Sequence, residues 1–310
     1  MPTVTVATFN CENLFRRFKF KTGIDPAKAS ADGFTINELA FEVLRSAEKA
    51  LTARCIRAVD ADVIALQEVE NLDVLRRFRA EWLPRMGYTH AMLVEGNDPR
   101  AIDVAVLSRH PIVAARSYQH LRQGRSFVFS RDCLEVDVAV GAKRLTLFVN
   151  HLKSMLDKAD PKQGRITTRA KRVLQSNAVK QLVIDRFGTS PGRHPWIVLG
   201  DLNDYLAPEP DQGTTSGIRD LVAWSQLENV LDRLPVADRW THFRAATRAY
   251  RQLDYVLLSR SLAAATRAKP IVERRGLSTK ATQAPGARFP GVTALTAASD
   301  HCPLAITVAL

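Results

Sequence analysis

Residues 196–204 read WIVLGDLND. A short apolar run of strand length breaks at Gly200 and gives way to Asp201, Asn203 and Asp204, so the strand hands over to polar chemistry at its carboxyl end. The same pattern recurs along the chain: VTVATFN at 4–10, VIALQEV at 63–69, DVAVLSR at 103–109, LEVDVAV at 134–140, RLTLFVN at 144–150, LDYVLLS at 253–259 and PLAITVA at 303–309. Between these runs the apolar spacing changes to that of helices at 38–59 and 168–187, the second with Ala170, Val173, Leu174, Ala178 and Leu182 on one face. Interleaved strands and helices imply an α/β class. No Pro/Gly/Ser-rich linker and no fixed-period repeat divides the 310 residues, which predicts a single domain over 1–310. Loops are expected at 16–36, 153–167, 205–220 and 276–296 from their Gly, Pro, Ser, Thr and charge content.

Composition narrows the partners. Lys and Arg number 44 against 32 Asp and Glu, a formal charge of +12, which favours a polyanion such as nucleic acid or an anionic lipid surface. Aromatics are only 7% of the chain, too few for an evident stacking platform for single strands. Cys11, Cys55, Cys133 and Cys302 stand singly, without the spacing of a zinc site or a disulfide framework. No run approaches the roughly 18 apolar residues of a membrane helix, and MPTVTVATFN does not resemble a signal segment. A cytoplasmic location is the expectation, with secretion the alternative if a signal has been removed; neither membrane insertion nor a protein partner is expected.

The acidic, amide and imidazole residues cluster at strand ends. Asn10, Glu68, Asn150 with His151, and Asp201 with Asn203 close apolar runs, while Asp300 and His301 precede the last one. Carboxylates placed this way can converge from distant positions, and a hard divalent cation takes oxygen ligands of the kind Glu68, Asp201 and Asp300 offer. Two histidines add acid–base or phosphate-stabilising capacity.

Seven blocks, TFNCENLF (8–15), VIALQEVEN (63–71), IDVAVLSRHPI (102–112), FVNHLKS (148–154), VLGDLND (198–204), QLDYVLLS (252–259) and SDHCPL (299–304), resemble in content and order the endonuclease/exonuclease/phosphatase superfamily, the deoxyribonuclease I-like proteins. That resemblance implies a four-layer α/β sandwich: two mixed, mostly antiparallel β-sheets packed face to face with helices outside. It implies Mg²⁺ or Mn²⁺ held by Glu68 and Asp300, with Asn10 as ligand or outer hydrogen-bonding group. By the same resemblance Asp201 positions or deprotonates the attacking water, Asn203 contacts a phosphate oxygen, His301 binds the scissile phosphate, and Asp254 orients and charges His301. His151 matches a second phosphate-side histidine, with Asp103 as its partner; Asn150 and Lys153 are expected to contact substrate. The superfamily's mechanisms assign the general base differently, and Asp201 is preferred here over His301.

Blander readings stand beside these. Asp201 and Asn203 alone would make an ordinary turn with a side-chain cap, Asp254 a surface ion pair with Arg251, and Asp103 a charge that discourages edge pairing. Histidines 90, 110, 120, 194 and 242 read as surface or packing residues, and Cys302 as a core thiol. The basic stretch KSMLDKADPKQGRITTRAKR (153–172) could flank the site, and Arg16, Arg17, Lys19 and Lys21 offer another basic patch; the default reading of most such residues is a solvated surface. An anionic phosphodiester repels hydroxide, so its hydrolysis needs a metal, cationic donors and a positioned water, and every role has a candidate. The expected function is metal-dependent hydrolysis of a phosphodiester in DNA or RNA. The alternatives are a lipid head-group phosphodiesterase, a sugar-phosphate phosphatase, or a polyanion-binding module without catalysis.

Overall fold

The computed structural model describes residues 2–16, 18–20, 41–43, 46–207 and 216–310. Arg17, Lys21 and most of the expected loop 16–36 therefore lie outside the described residues, as does 208–215 of the loop 205–220. Twelve strands build two sheets: β1 (Thr3–Leu14), β2 (Val63–Val69), β3 (His90–Leu93), β4 (Asp103–Ser108), β5 (Ile112–Ser117), β6 (Cys133–Val140), β7 (Lys143–His151), β8 (Trp196–Asp201), β9 (Leu227–Asn229), β10 (Asp254–Ser259), β11 (Ile271–Val272) and β12 (Leu304–Ala309). One sheet runs β11-β12-β1-β2-β4-β3 and the other β9-β10-β8-β7-β6-β5. All pairings are antiparallel except the central pair of each sheet, β1 with β2 and β7 with β8.

Side chains alternate between the two faces of a strand, and here the alternation sorts the apolar residues into layers. Val4 and Val6 of β1, Leu145, Leu147 and Val149 of β7, Ile197 and Leu199 of β8, and Val256 and Leu258 of β10 pack between the sheets. The intervening residues face outward. Ala7, Phe9, Ile64 and Leu66 meet Leu51 and Ile56 of α1 (Ser46–Val59) and Leu75 and Phe78 of α2 (Leu72–Trp82). Phe148, Trp196 and Val198 meet Val179, Leu182 and Val183 of α3 (Arg169–Phe187). The result is the four-layer helix–sheet–sheet–helix sandwich expected from the sequence. The helix expected over 38–59 starts later, at Ser46; Phe41–Val43 instead pairs antiparallel with Phe18–Phe20, and aromatic and β-branched residues suit that role. No helix among the described residues is long and apolar enough to cross a membrane.

The cation-rich stretch after β7 divides by burial. Arg172 is fully buried and Arg165 nearly so; both clamp Asp204, with Arg165 Nε 2.9 Å from Oδ1 and Arg172 Nε 3.0 Å from Oδ2. The same carboxylate accepts the backbone N–H of Tyr205 and of Gly217. Arg172 fastens α3, and Arg165 the short helical turn Gly164–Thr167 before it, to the turn after β8, whereas Lys158 and Lys162 are exposed. Removing one partner of a buried ion pair leaves uncompensated charge, so Asp204→Ala is expected to cost about 3–5 kcal/mol, read as a drop in the urea midpoint; a change below about 1 kcal/mol would contradict this role.

Candidate active site

Each sheet's one parallel pair delivers two strand carboxyl ends to the same edge of the sandwich. Asn10 and Glu68 come from β1 and β2, His151 and Asp201 from β7 and β8. The antiparallel neighbours begin where those strands end, so Asp254 pairs directly with Asp201 and His301 precedes β12. Gly200 permits the last step of β8: its φ is +131°, and a Cβ there would come within 1.9 Å of the Asn150 carbonyl oxygen. Only glycine fits so close an approach, and it sets Asp201 opposite His151.

Alternation decides which of these side chains face inward. Asn10, His151, Asp201 and Asp254 share the parity of the inter-sheet residues on their strands. Glu68 has the wrong parity, being two residues beyond the outward Leu66. The register slips between Gln67 and Val69 and Glu68 takes φ +63°, an irregularity that re-aims its side chain into the site. Left-handed backbone at a non-glycine residue costs of order 1–3 kcal/mol; Asn203, at φ +54°, belongs to a type that tolerates it better.

Together Asn10, Glu68, His151, Asp201, Asn203, Asp300 and His301 line a cavity of about 350 Å³. Asp201 is buried at its floor, 1% exposed. Its Oδ2 accepts from Asn10 Nδ2 at 3.1 Å and Asn203 Nδ2 at 2.9 Å, and its Oδ1 from the Asn203 backbone N–H at 2.8 Å. His151 Nε2 lies 3.5 Å and His301 Nε2 3.8 Å from the same Oδ2. Burial, assisted by the charge of Asp254 and opposed by that of His301, pushes the Asp201 carboxyl up to about 7.

The two imidazoles diverge. Burial disfavours the cation at both, but His301 Nδ1 sits 2.8 Å from Asp254 Oδ2, and Asp254, Asp201 and Asp300 together hold it well above the ordinary histidine range. Thr241 fixes Asp254 by donating its hydroxyl to Oδ2 at 2.7 Å and accepting the Asp254 backbone N–H at 3.0 Å. His151 is driven well below the ordinary range by burial and by the charges of Arg131, His301 and Arg100. A turn ties the start of β12 to its neighbour β1 at this point: Ser299 donates to the Asn10 carbonyl and accepts the His301 backbone N–H.

Four expectations change. Asn150 shares the parity of the outward Phe148; its Nδ2 donates to the Phe148 carbonyl, and it does not line the cavity. Asp103 is out of parity with the inter-sheet Val104 and Val106, and its Oδ1 accepts the Gly96 N–H at 2.8 Å, with no hydrogen bond to His151 among the described residues. The Lys153 ammonium folds onto the carbonyls of Ser154 and Leu156, and Lys153 does not line the cavity. Asn203 does line the cavity, but its amide N–H groups go to Asp201 and the Leu152 carbonyl, so it positions Asp201 and has no donor left for phosphate.

Sequence reading also overlooked residues. His242, read as surface or packing, has Nε2 3.2 Å from Asp300 Oδ2 and its ring 4.6 Å from that of His301. Arg131, 3% exposed, reaches the Leu152 carbonyl and Asp98 and lines the cavity with Arg100 and Arg244. The FSRD stretch, an arginine between an apolar run and a strand, was the available signal for Arg131. His242 lay on a short hairpin that carried none.

Glu68 and Asp300 bring carboxylates to one cavity, lined also by Asn10, whose amide oxygen accepts the Glu12 backbone N–H at 3.0 Å. Asp300 is 45% exposed, and despite the opposing effect of burial, His242 and His301 hold it down at about 2. An oxygen-only set suits a hard ion of the Mg²⁺ or Mn²⁺ kind. The closest carboxylate–imidazole groupings among the described residues, His242/Asp300/His301 and Asp201/Asp254/His301, share His301, whose Nδ1 is already engaged by Asp254.

The family model described as "Endonuclease/Exonuclease/phosphatase family" matches residues 7–301. No curated protein sequence matches the chain. Among solved structures, truncated TDP2 of Caenorhabditis elegans superposes with a TM-score of 0.59 at 14% identity, over 99% of this chain and 98% of that one. The human Nocturnin catalytic domain with bound sulfate gives 0.61 at 16% over 99% and 94%, and a mannosyl-6-phosphatase of Bacteroides thetaiotaomicron 0.58 at 15% over 99% and 100%. These likenesses are of fold.

Asp103 supplies a test of the electrostatics away from the chemistry. Burial, with Glu95, Asp98 and Asp132 adding to it, raises its carboxyl to about 6, against the Gly96 hydrogen bond. A folded value above the unfolded one means that its contribution is favourable below about pH 4 and is lost as pH rises through about 6. Asp103→Asn keeps the Oδ1 acceptor and cannot ionise. It is expected to be more stable than wild type by about 1–3 kcal/mol at pH 8, with the advantage shrinking towards pH 5. Equal denaturation midpoints at both pH values would contradict the raised value.

Proposed function

The chain belongs to the endonuclease/exonuclease/phosphatase family, whose members are metal-dependent phosphoric ester hydrolases, and from that premise we propose that it is a phosphodiesterase cutting nucleic acid. The observation that carries this reading is the placement of buried Asp201 with its Oδ2 3.8 Å from His301 Nε2 in a cavity walled by Arg100, Arg131 and Arg244. Glu68 and Asp300, with Asn10 beside them, would hold the divalent ion, which supplies charge neutralisation at the phosphate.

The chain's own groups then divide the work. His301 Nε2, kept cationic by Asp254, donates to a non-bridging phosphate oxygen and offsets the charge that builds up in the pentacovalent state. Asp201 Oδ2, raised towards neutrality, takes the proton of the attacking water. Asn10 and Asn203 hold that carboxylate in one orientation. His151, neutral, offers a ring N–H or lone pair beside Asp201 without repelling His301. The arginines accept the polyanion, and the formal +12 charge favours nucleic acid over a neutral head group. A sugar-phosphate monoester is the second reading, because the same fold serves a protein named as a mannosyl-6-phosphatase.

Cleavage of plasmid, single-stranded DNA and RNA is the test, with a sugar-phosphate monoester alongside. Nicking is expected with Mg²⁺ or Mn²⁺, to vanish with chelator, and to be lost in Asp201→Ala. Asp254→Asn should lower kcat by about 10²–10⁴-fold. Turnover of the monoester alone would favour the second reading, and cleavage that survives both chelator and Asp201→Ala would overturn the assignment.

A further inference from the structure

The catalytic cavity opens past His242 into a second one of about 390 Å³, and the two share Met155, Pro161, His242, Arg244 and Leu253. The second cavity is lined by Lys162, Arg165, Arg244 and Arg251, with Tyr205, and by no aspartate or glutamate among the described residues. Arg165 is anchored rather than mobile. Its Nε holds Asp204, its Nη2 donates to the Tyr205 carbonyl at 2.6 Å, its guanidinium carbon lies 3.8 Å from the Tyr205 ring centroid, and its Nη1 is buried with no hydrogen-bond partner. The Arg251 guanidinium lies 4.9 Å from the same ring centroid. Arg244 and Lys162 are exposed. The Arg165 charge is balanced by Asp204, but Lys162, Arg244 and Arg251, with no lining carboxylate among the described residues, make a region of positive potential that adjoins the catalytic cavity.

We propose that this second cavity is a subsite for a further phosphate of the substrate, next to the one hydrolysed. The proposal rests on the reading of the catalytic cavity as a phosphodiesterase site and adds to it a preference for substrates with at least two phosphates. Arg165 holds Tyr205 in place, the Arg251 guanidinium beside that ring offers a planar donor set to phosphate oxygens, and the more exposed Lys162 and Arg244 contribute charge. The neighbouring phosphate is either an internal diester of the chain or a terminal monoester, and the two share the chemistry that this cavity recognises.

The experiment compares wild type with the double variant Lys162→Ala/Arg251→Ala, neither residue being part of the catalytic cavity, with melting temperature as the folding control. Substrates are bis(p-nitrophenyl) phosphate, a trinucleotide, and a dinucleotide with and without a terminal phosphate. The double variant should keep its rate on the single-phosphate ester within about twofold and lose about tenfold or more in kcat/KM on the trinucleotide, chiefly through KM, with a shallower salt dependence. A loss on the trinucleotide identifies the internal diester as occupant; a loss confined to the terminally phosphorylated dinucleotide identifies the monoester; either supports the subsite. Unchanged kinetics on all multi-phosphate substrates cut by wild type would overturn the subsite and leave the phosphodiesterase reading intact. An equal loss on the small ester would also overturn it, because the residues would then act through the catalytic cavity or the fold. Failure of wild type on every diester would remove the reading beneath it, and the subsite with it.

Discussion

A carboxylate withdrawn from water must be compensated where it lies, and the site is organised around that demand at Asp201. The strand that carries it is buried on both faces, so the side chain has no route to solvent except the cavity. Compensation comes from both sheets: Asn10 from one, Asn203 and the Asn203 backbone from the other, with two imidazoles at 3.5 and 3.8 Å. Two central parallel pairs, one per sheet, make this possible, because parallel strands release their carboxyl ends together. An all-antiparallel sandwich would send half of these residues to the opposite edge.

The same packing gives two chemically similar histidines opposite characters. Both are buried, and burial alone would leave both neutral. His301 has Asp254 at hydrogen-bond distance and two more carboxylates close by, so attraction exceeds the cost of desolvation. His151 has Asp201 at 3.5 Å and Glu68 at 4.0 Å but no carboxylate at hydrogen-bond distance on its Nδ1, and burial, reinforced by the charges of Arg131, His301 and Arg100, holds it below the ordinary range. A cationic donor and a neutral partner beside one raised carboxylate are what phosphate ester hydrolysis requires near neutral pH. Arg100, Arg131 and Arg244 line the wall of the same cavity.

Much of this was legible in the sequence. The inner strands of both sheets coincide with the apolar runs, since buried strands and apolar runs are one signal, whereas the edge strands β3, β5, β9 and β11 fall outside those runs; Asn10, Glu68, His151, Asp201, Asn203, Asp300 and His301 share one cavity. The period-two alternation also contained the evidence against Asn150 and Asp103, each one residue out of step with the inward-facing positions on its strand. Glu68 breaks the same rule, and only the slipped register shows why it faces inward all the same. Other features depend on contacts that no local pattern encodes. His242 meets Asp300 across 58 residues of chain, Arg165 and Arg172 spend their charge on Asp204 inside the protein, and Lys153 turns back on its own loop. Charge counted along a sequence does not distinguish such arginines and lysines from those that face a ligand.

The division of labour between the two histidines is the central claim, and titration of the imidazole resonances by NMR in chelated protein, assigned with His151→Gln and His301→Gln, addresses it most directly. The account predicts that His301 remains cationic well past neutrality and that His151 stays neutral to well below the ordinary range. In Asp254→Asn, His301 should fall back towards ordinary values. Two histidines titrating together near about 6.5, or a His301 indifferent to the loss of the Asp254 charge, would contradict it.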